Sequence, residues 1–481
     1  MEPTKEQWYL RRIAELEAEV AELKAQVARR TEQGARQSEQ IARLSEQIAK
    51  LSKNSSNSSK PPSSDIVKPP KPASSKKRKR KIGGQPGHAK HERPPFVPDQ
   101  IDDVRVYRLN RCPDCGGPVS VHPQEARVVQ QVEIVERPVE IVEHRAEACW
   151  CGRCRKVVHA SLPAAVQKGG LLGPQLTALV GYLKGVCHAS FSTIRKFFRD
   201  VLNIPISRGQ LAKVIGKVSA ALEHAYEELR ARLPGESRLN VDETGHKENG
   251  KAHWTWCFRA ELYTLFKIDS SRGSEVLIEM LGKEFNGVLG CDYFSAYRKY
   301  MREFSVEVQF CLAHLIRDVK FLIGLPDKLT RVYGERVLDA LRRLFRAIHR
   351  RETMTSTGFR RALEKARGDV IAAALWAPRR RQAQNLARRF RLHGEAYFRF
   401  ITTPGVEPTN NLAEQAMRFV VIDRRITQGT RSERGRQWCE RIWTTIATCT
   451  QQGRSAFEFL RDTITAHFHG RLTPSLLPSE P

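Results

Sequence analysis

Between residues 8 and 51 apolar side chains recur at alternating steps of three and four: Ile13, Leu16, Val20, Leu23 and Val27. The same register runs through the polar positions Arg30, Gly34 and Gln37 to Ile41, Leu44, Ile48 and Leu51, and residues 38–44 are repeated almost unchanged as 45–51. A strict seven-residue apolar period predicts a left-handed coiled coil, and burying its seam needs a second helix. Segment 1–53 is therefore expected to self-associate. The pattern then stops. Residues 54–95 are rich in Ser, Asn, Pro and Lys, too poor in apolar groups to offset their ordering entropy, and predict a disordered basic linker. Segment 96–165 carries Val128, Val129, Val132, Ile134, Val135, Val139, Ile141 and Val142, a β-rich stretch. Helical spacing returns over 166–235. Leu176, Leu179, Tyr182, Leu183 and Val186 mark one helix, 191–202 a second opened by Ser190 or Ser192, and 208–233 a third capped by Ser207.

Residues 238–244 read as a strand delivering Asp242 at its end. Two aromatic and β-branched strands follow at 253–258 and 262–268, a hairpin-length gap apart. A helix near 273–281 precedes a second short apolar strand, 287–292, that again ends in an acid, Asp292. Residues 332–400 are helical in composition and dense in arginine. Thr409-Asn410-Asn411 then offers a cap for a helix with Glu414 in its first turn. The boundaries this implies are a core at 236–450, a helical insertion at about 325–400, and a C-terminal tail at 451–481. The fold class is multidomain α+β: coiled coil, zinc ribbon-like β domain, helical DNA-binding segment, and an α/β core interrupted by helices.

Charge sharpens the picture. Lys and Arg number 81 against 53 Asp and Glu, leaving +28, which points to a polyanionic partner, nucleic acid before membrane. No run of apolar residues long enough to cross a bilayer and no secretory leader is evident, so a cytoplasmic protein is expected. The cations Lys76, Lys77, Arg78, Lys79, Arg80 and Lys81 suit sequence-blind phosphate contact, as do Arg424, Arg425 and Arg431 in a polar turn after Glu414. Eleven cysteines in such a chain favour free or metal-bound thiols over disulfides. Cys112 with Cys115 and Cys151 with Cys154 form two Cys-x-x-Cys pairs, the spacing that closes a tetrahedral four-thiolate Zn²⁺ site. Cys149, His144 and His159 are the substitutes if one pair is wrong.

Two acids after apolar strands and one on a helix match the order of an RNase H-like core. Hard cations take oxygen ligands, so Asp242, Asp292 and Glu414 suit two Mg²⁺ or Mn²⁺ ions that activate an oxygen nucleophile in phosphoryl displacement. Glu407, Asp423, Glu433 and Glu440 are the other candidates for the third acid. Glu243 should face the opposite side of its strand and is left out. Cys311 and His314, a lone Cys-x-x-His, read equally as packing or as half a metal site.

Together these residues resemble bacterial transposases of the insertion-sequence sixty-six family. The likeness spans nearly the whole chain: the zipper-like helix, the linker at 54–65, the Gly-Gly-Gln-Pro-Gly-His box at 83–88 and the four cysteines. It continues through Val241-Asp242-Glu243-Thr244, residues 291–297, Cys311-Leu312-Ala313-His314 and Asn410-Asn411-Leu412-Ala413-Glu414. One position departs, Gln415, where the family pattern has Arg. The resemblance implies a catalytic triad of Asp242, Asp292 and Glu414 and an interrupted RNase H-like domain. It implies metal-dependent DNA cleavage and strand transfer without a covalent protein intermediate. Partners would be the element's terminal inverted repeats, target DNA, a second copy of the chain and accessory proteins of the same element, with a place at the nucleoid. Rival readings are a nuclease that does not join strands and a catalytically inactive zinc-ribbon DNA-binding regulator; the presence of all three acids argues against the second.

Overall fold

A computed structural model describes residues 5–51, 94–107, 109, 111, 113–118, 120, 128–132, 134–135, 138–151, 153 and 155–478. The linker at 54–75, the cations Lys76, Lys77, Arg78, Lys79, Arg80 and Lys81, the box at 83–88, Cys112 and Cys154 lie outside the described residues.

The heptad segment is one unbroken helix, α1 (Lys5–Leu51). Its seam residues Ile13, Leu16, Val20, Leu23 and Val27 are all exposed, as they must be while a single copy of the chain offers them no partner. Next come β1 (Ala148–Cys151) and β2 (Lys156–His159), an antiparallel hairpin with Cys149 opposite Val158. The β-rich expectation for 128–142 fails: among the described residues there no strand forms, and Val128, Val132 and Ile141 are exposed. β-Branched composition supplies propensity, but a strand needs a neighbour to bond.

A helical layer follows: α2 (Ala164–Gly169), α3 (Pro174–Gly185), α4 (Phe191–Asp200), α5 (Arg208–Ala221) and α6 (Glu223–Arg232). Ser190 and Ser207 are true N-caps, accepting from the backbone N–H of Thr193 and Gln210 at 3.0 and 3.1 Å. The expected single helix over 208–233 instead divides at Leu222, the C-cap of α5 and N-cap of α6.

The core is a five-stranded mixed sheet of β3 (Arg238–Glu248), β4 (Lys251–Arg259), β5 (Thr264–Asp269), β6 (Val288–Cys291) and β7 (Glu307–Phe310), in the order β5-β4-β3-β6-β7. β3, β4 and β5 are antiparallel, while β6 runs parallel to β3 and β7 parallel to β6. Helices α7 (Ser274–Leu281), α8 (Ser295–Phe304) and α9 (Leu312–Ile323) connect or follow the parallel strands. β3 runs past the expected end at Thr244 to Glu248, so Asp242 sits mid-strand. The turn at Asn249-Gly250, both with positive φ, suits a tight hairpin.

Helices α10 (Lys328–Ile348), α11 (Ser356–Leu375), α12 (Arg381–His393) and the short α13 (Arg399–Thr402) occupy the expected insertion. Several of its arginines serve the fold itself. Arg389 meets Asp318 at 2.8 Å with its guanidinium 3.7 Å over the Tyr293 ring, and Arg336 lies over Trp376. Others, such as Arg350, Arg351, Arg360, Arg361 and Arg388, are exposed.

Chain closure comes from α14 (Asn411–Thr427), α15 (Glu433–Gln451) and α16 (Ala456–Phe468). One stripe of α15 covers the sheet edge: Thr448, Thr444 and Glu440 accept from the backbone N–H groups of Thr264, Phe266 and Ile268 at 3.2, 3.0 and 2.7 Å. An unpaired edge thus gains acceptors from side chains four residues apart on a helix. The expected C-terminal tail is structured for the same apolar reason as any core helix: Phe459, Leu460, Ile464 and Phe468 are buried.

Helices α3 and α15 approach so closely that a Cβ at Gly185 would lie 2.5 Å from Ile442 Cγ1, whereas one at Gly216 on α5 would meet nothing within 4 Å. Gly185→Ala should therefore destabilise by about 1–3 kcal/mol through overpacking. Gly216→Ala, in a helix interior, should stabilise by about 0.5–1 kcal/mol. Urea midpoints of the two variants should move in opposite directions.

Candidate active site

The site grows out of the middle of β3. Asn240, Val241 and Asp242 are followed by Glu243, and the alternation of the strand sends Asp242 and Glu243 to opposite faces. Asp292 follows the last residue of β6, and its Oδ1 accepts the Phe294 N–H at 2.8 Å, turning the chain into α8. Glu414 stands in the first turn of α14.

Asn410 brings these segments together. Only 1% exposed, its amide donates to the Val241 carbonyl at 2.7 Å and accepts from Asn240 Nδ2 at 2.9 Å. Its backbone N–H meets Cys311 Sγ at 3.1 Å. The expected side-chain cap is therefore absent, because the amide is spent on β3 instead. One turn on, Glu414 lies against Arg317 Nη2 at 3.4 Å and His314 Nδ1 at 3.5 Å, and Arg317 Nη1 lies 3.3 Å from His314 Nε2.

The acids feel one another. Burial first, then the charges of Glu243, Asp292 and Glu414, hold the Asp242 carboxyl well above the ordinary carboxylate range. Glu243, left out by the sequence reading, is part of this centre. Its side chain is 2% exposed, and burial and Asp292 raise it to about 7, against the pull of Arg272 and Tyr297. Arg272 donates twice to Glu243 Oε1, at 2.7 and 3.1 Å, with its guanidinium between the Trp254 and Phe294 rings at 4.4 and 3.9 Å. Tyr297 donates to the other oxygen. A Glu at the position facing away from Asp242 gives no sequence signal beyond its own charge, and its partners come from two other elements.

Among the described residues the tightest set of possible metal donors is Cys311, His314 and Glu414, whose donor atoms lie within 4.8 Å of one another. The Cys311 thiol is pushed up by burial, and His314 is lowered chiefly by burial. With Arg317 donating to Nε2, the neutral imidazole carries its proton on Nδ1, facing Glu414. At 3.5 Å neither Nδ1 nor the Glu414 Oε1 it faces makes a hydrogen bond.

The other predicted residues lie elsewhere. Arg424 is half-buried and donates to Thr244 at 3.2 Å, while Arg425 and Arg431 are exposed. Cys115 is exposed and Cys151 half-buried; Cys112 and Cys154 lie outside the described residues. Of the alternative third acids, Glu407 and Glu433 are exposed, Asp423 pairs with His188 at 2.8 Å, and Glu440 serves β5.

Asp242 on the central strand, Asp292 after its parallel neighbour and Glu414 on a helix docked to that strand make up the candidate site. Residues 169–438, more than half of the 481-residue chain, match the model described as Transposase IS66 family, and the chain belongs to that family. Residues 1–94 match a family of unknown function (DUF6444). Two similar proteins come from Sinorhizobium fredii (strain NBRC 101917 / NGR234). The uncharacterized protein y4qI is 25% identical over 427 residues, covering 80% of this chain and 76% of its own. The uncharacterized protein y4hP is 23% identical over 390 residues, covering 73% and 70%.

Burial raises Glu440 to about 7, so its folded pKa exceeds the unfolded one. Its contribution to stability is full below the unfolded value and lost as pH rises through about 7. Glu440→Gln keeps an acceptor for Ile268 and should flatten this loss between about pH 4.5 and 7, by at most about 3 kcal/mol. Urea unfolding across that range checks it.

Proposed function

We propose that this protein is a DNA transposase whose RNase H-like core cleaves the ends of its mobile element and joins them to target DNA. What supports the reading is that Asp292 and Glu414, far from Asp242 in sequence, both add to the burial and the Glu243 charge that hold the Asp242 carboxyl high. The sheet order β5-β4-β3-β6-β7 supports it, with the first acid on the central strand and the second after its parallel neighbour.

The residues fit divalent cations. Three carboxylates supply only hard oxygen donors, they repel one another, and the buried Oε1 of Glu414 lacks a hydrogen-bond partner. Mg²⁺ or Mn²⁺ held by Asp242, Asp292 and Glu414 would activate a water or a 3′-hydroxyl and stabilise the leaving oxygen. The protein's own part is placement. Asn410 fixes β3 against α14, Arg317 steadies Glu414, and Arg272 neutralises Glu243 near the aspartates.

DNA contact falls to the exposed Arg425 and Arg431, the exposed arginines of α10–α12 and the cations at 76–81. Cys112, Cys115, Cys151 and Cys154 are proposed to hold a structural Zn²⁺, for which the Cys-x-x-Cys spacing is the argument. The exposed apolar seam of α1 supports a homo-oligomer.

A strand-transfer assay with Mg²⁺ or Mn²⁺ and DNA carrying the element's ends tests the chemistry. Asp242→Asn, Asp292→Asn and Glu414→Gln should each lower cleavage and joining by at least about a thousandfold while DNA binding persists. Cleavage without joining would make the protein a nuclease, and wild-type activity in all three variants would defeat the site. For the coil, Leu16→Asp with Leu23→Asp should lower the mass measured by light scattering. An unchanged mass would place the assembly elsewhere.

A further inference from the structure

Beside the carboxylate centre lies a cavity of about 560 Å³ that the proposed chemistry does not use. It opens between the starts of α7 and α8, and four of its lining residues, Arg272, Arg298, Lys299 and Arg302, are cationic. The one lining carboxylate, Glu275, is bonded to Ser271 Oγ, its own acidity increased by that bond. Asp292 Oδ1 takes the Phe294 N–H at the start of helix α8, but the helix has no acid in its first turn, so the N–H groups of that turn stay open to a ligand. In the cavity wall, Ser274 is 2% exposed and its Oγ has no hydrogen-bond partner. The four cationic side chains outweigh the one carboxylate and favour an oxyanion.

Its position says which one. The start of α8 lies two residues beyond Asp292, and Arg272 in the wall also donates to Glu243, the residue that follows Asp242. An acid-rich centre repels the polyanion it must cut, and backbone phosphates need cations nearby to stay. We propose that this cleft binds a backbone phosphate of the DNA strand whose reacting phosphodiester lies at the carboxylates. The proposal rests on the transposase reading and adds to it the surface that grips the strand beside the cut.

Lys299 and Arg302 are exposed and lie outside the acid centre, which makes Lys299→Ala with Arg302→Ala the test. For the full-length protein on element-end DNA, the slope of log Kobs against log salt should become shallower by about 2, since each phosphate contact contributes about 0.9. Single methylphosphonates placed through the bases around the cut should weaken wild-type binding at one or two positions. At those positions the double variant should lose nothing further. Lys299→Gln with Arg302→Gln, closer in size, should reproduce the result if the alanine variant fails to fold. An unchanged salt slope, with every methylphosphonate effect retained, overturns the cleft while leaving the transposase intact. Wild-type protein that shows no DNA binding overturns both. The expected slope change in a protein that does not cleave sustains the cleft and defeats the catalytic reading.

Discussion

One buried amide ties the helix that carries Glu414 to the strand that carries Asp242. Asn410 touches β3 through Val241 and Asn240 and the start of α9 through Cys311, all at once. A buried amide with its donors and acceptor engaged is far harder to move than an apolar contact of the same size, because leaving any of them unpaired carries the full desolvation penalty. Glu414 inherits this rigidity, being one helical turn away. The neighbouring Arg317 and His314 restrict what freedom its side chain retains.

Polar groups also do the structural work on the sheet's other flank. Thr444, Thr448 and Glu440 form a polar stripe on α15, where an amphipathic reading expects apolar residues, because their target is the unpaired edge of β5 rather than a greasy face. The same substitution of polar for apolar explains why β3 was read too short. Glu243, Thr244 and His246 are all buried, so binary patterning cannot distinguish the strand's second half from a loop.

What could be read from the residues was whatever depends on local periodicity or local chemistry. The long N-terminal helix, the caps Ser190 and Ser207, the β3–β4–β5 order and the insertion between the second and third acids all follow from spacing or turn residues. Glu243 was missed because its meaning lies in Arg272 and Tyr297, which only tertiary structure brings to it. The division of the helix at Leu222, the folded α16 and the lack of a strand among the described residues of 128–142 likewise depend on neighbours distant in sequence. The amide of Asn410 was expected to cap its own helix, and a local rule could offer no other partner.

The insertion α10–α13 has a consequence for how the protein comes into being. Asp292 precedes Asn410 by 118 residues and Asp242 precedes it by 168, so both aspartates and their strands leave the ribosome well before Asn410 and Glu414. Domains form progressively as chain is synthesised, and contacts distant in sequence close last. A nascent or prematurely ended chain thus carries two of the three acids and none of the grip that seats the third, so the acid set is completed only in copies that also contain α14.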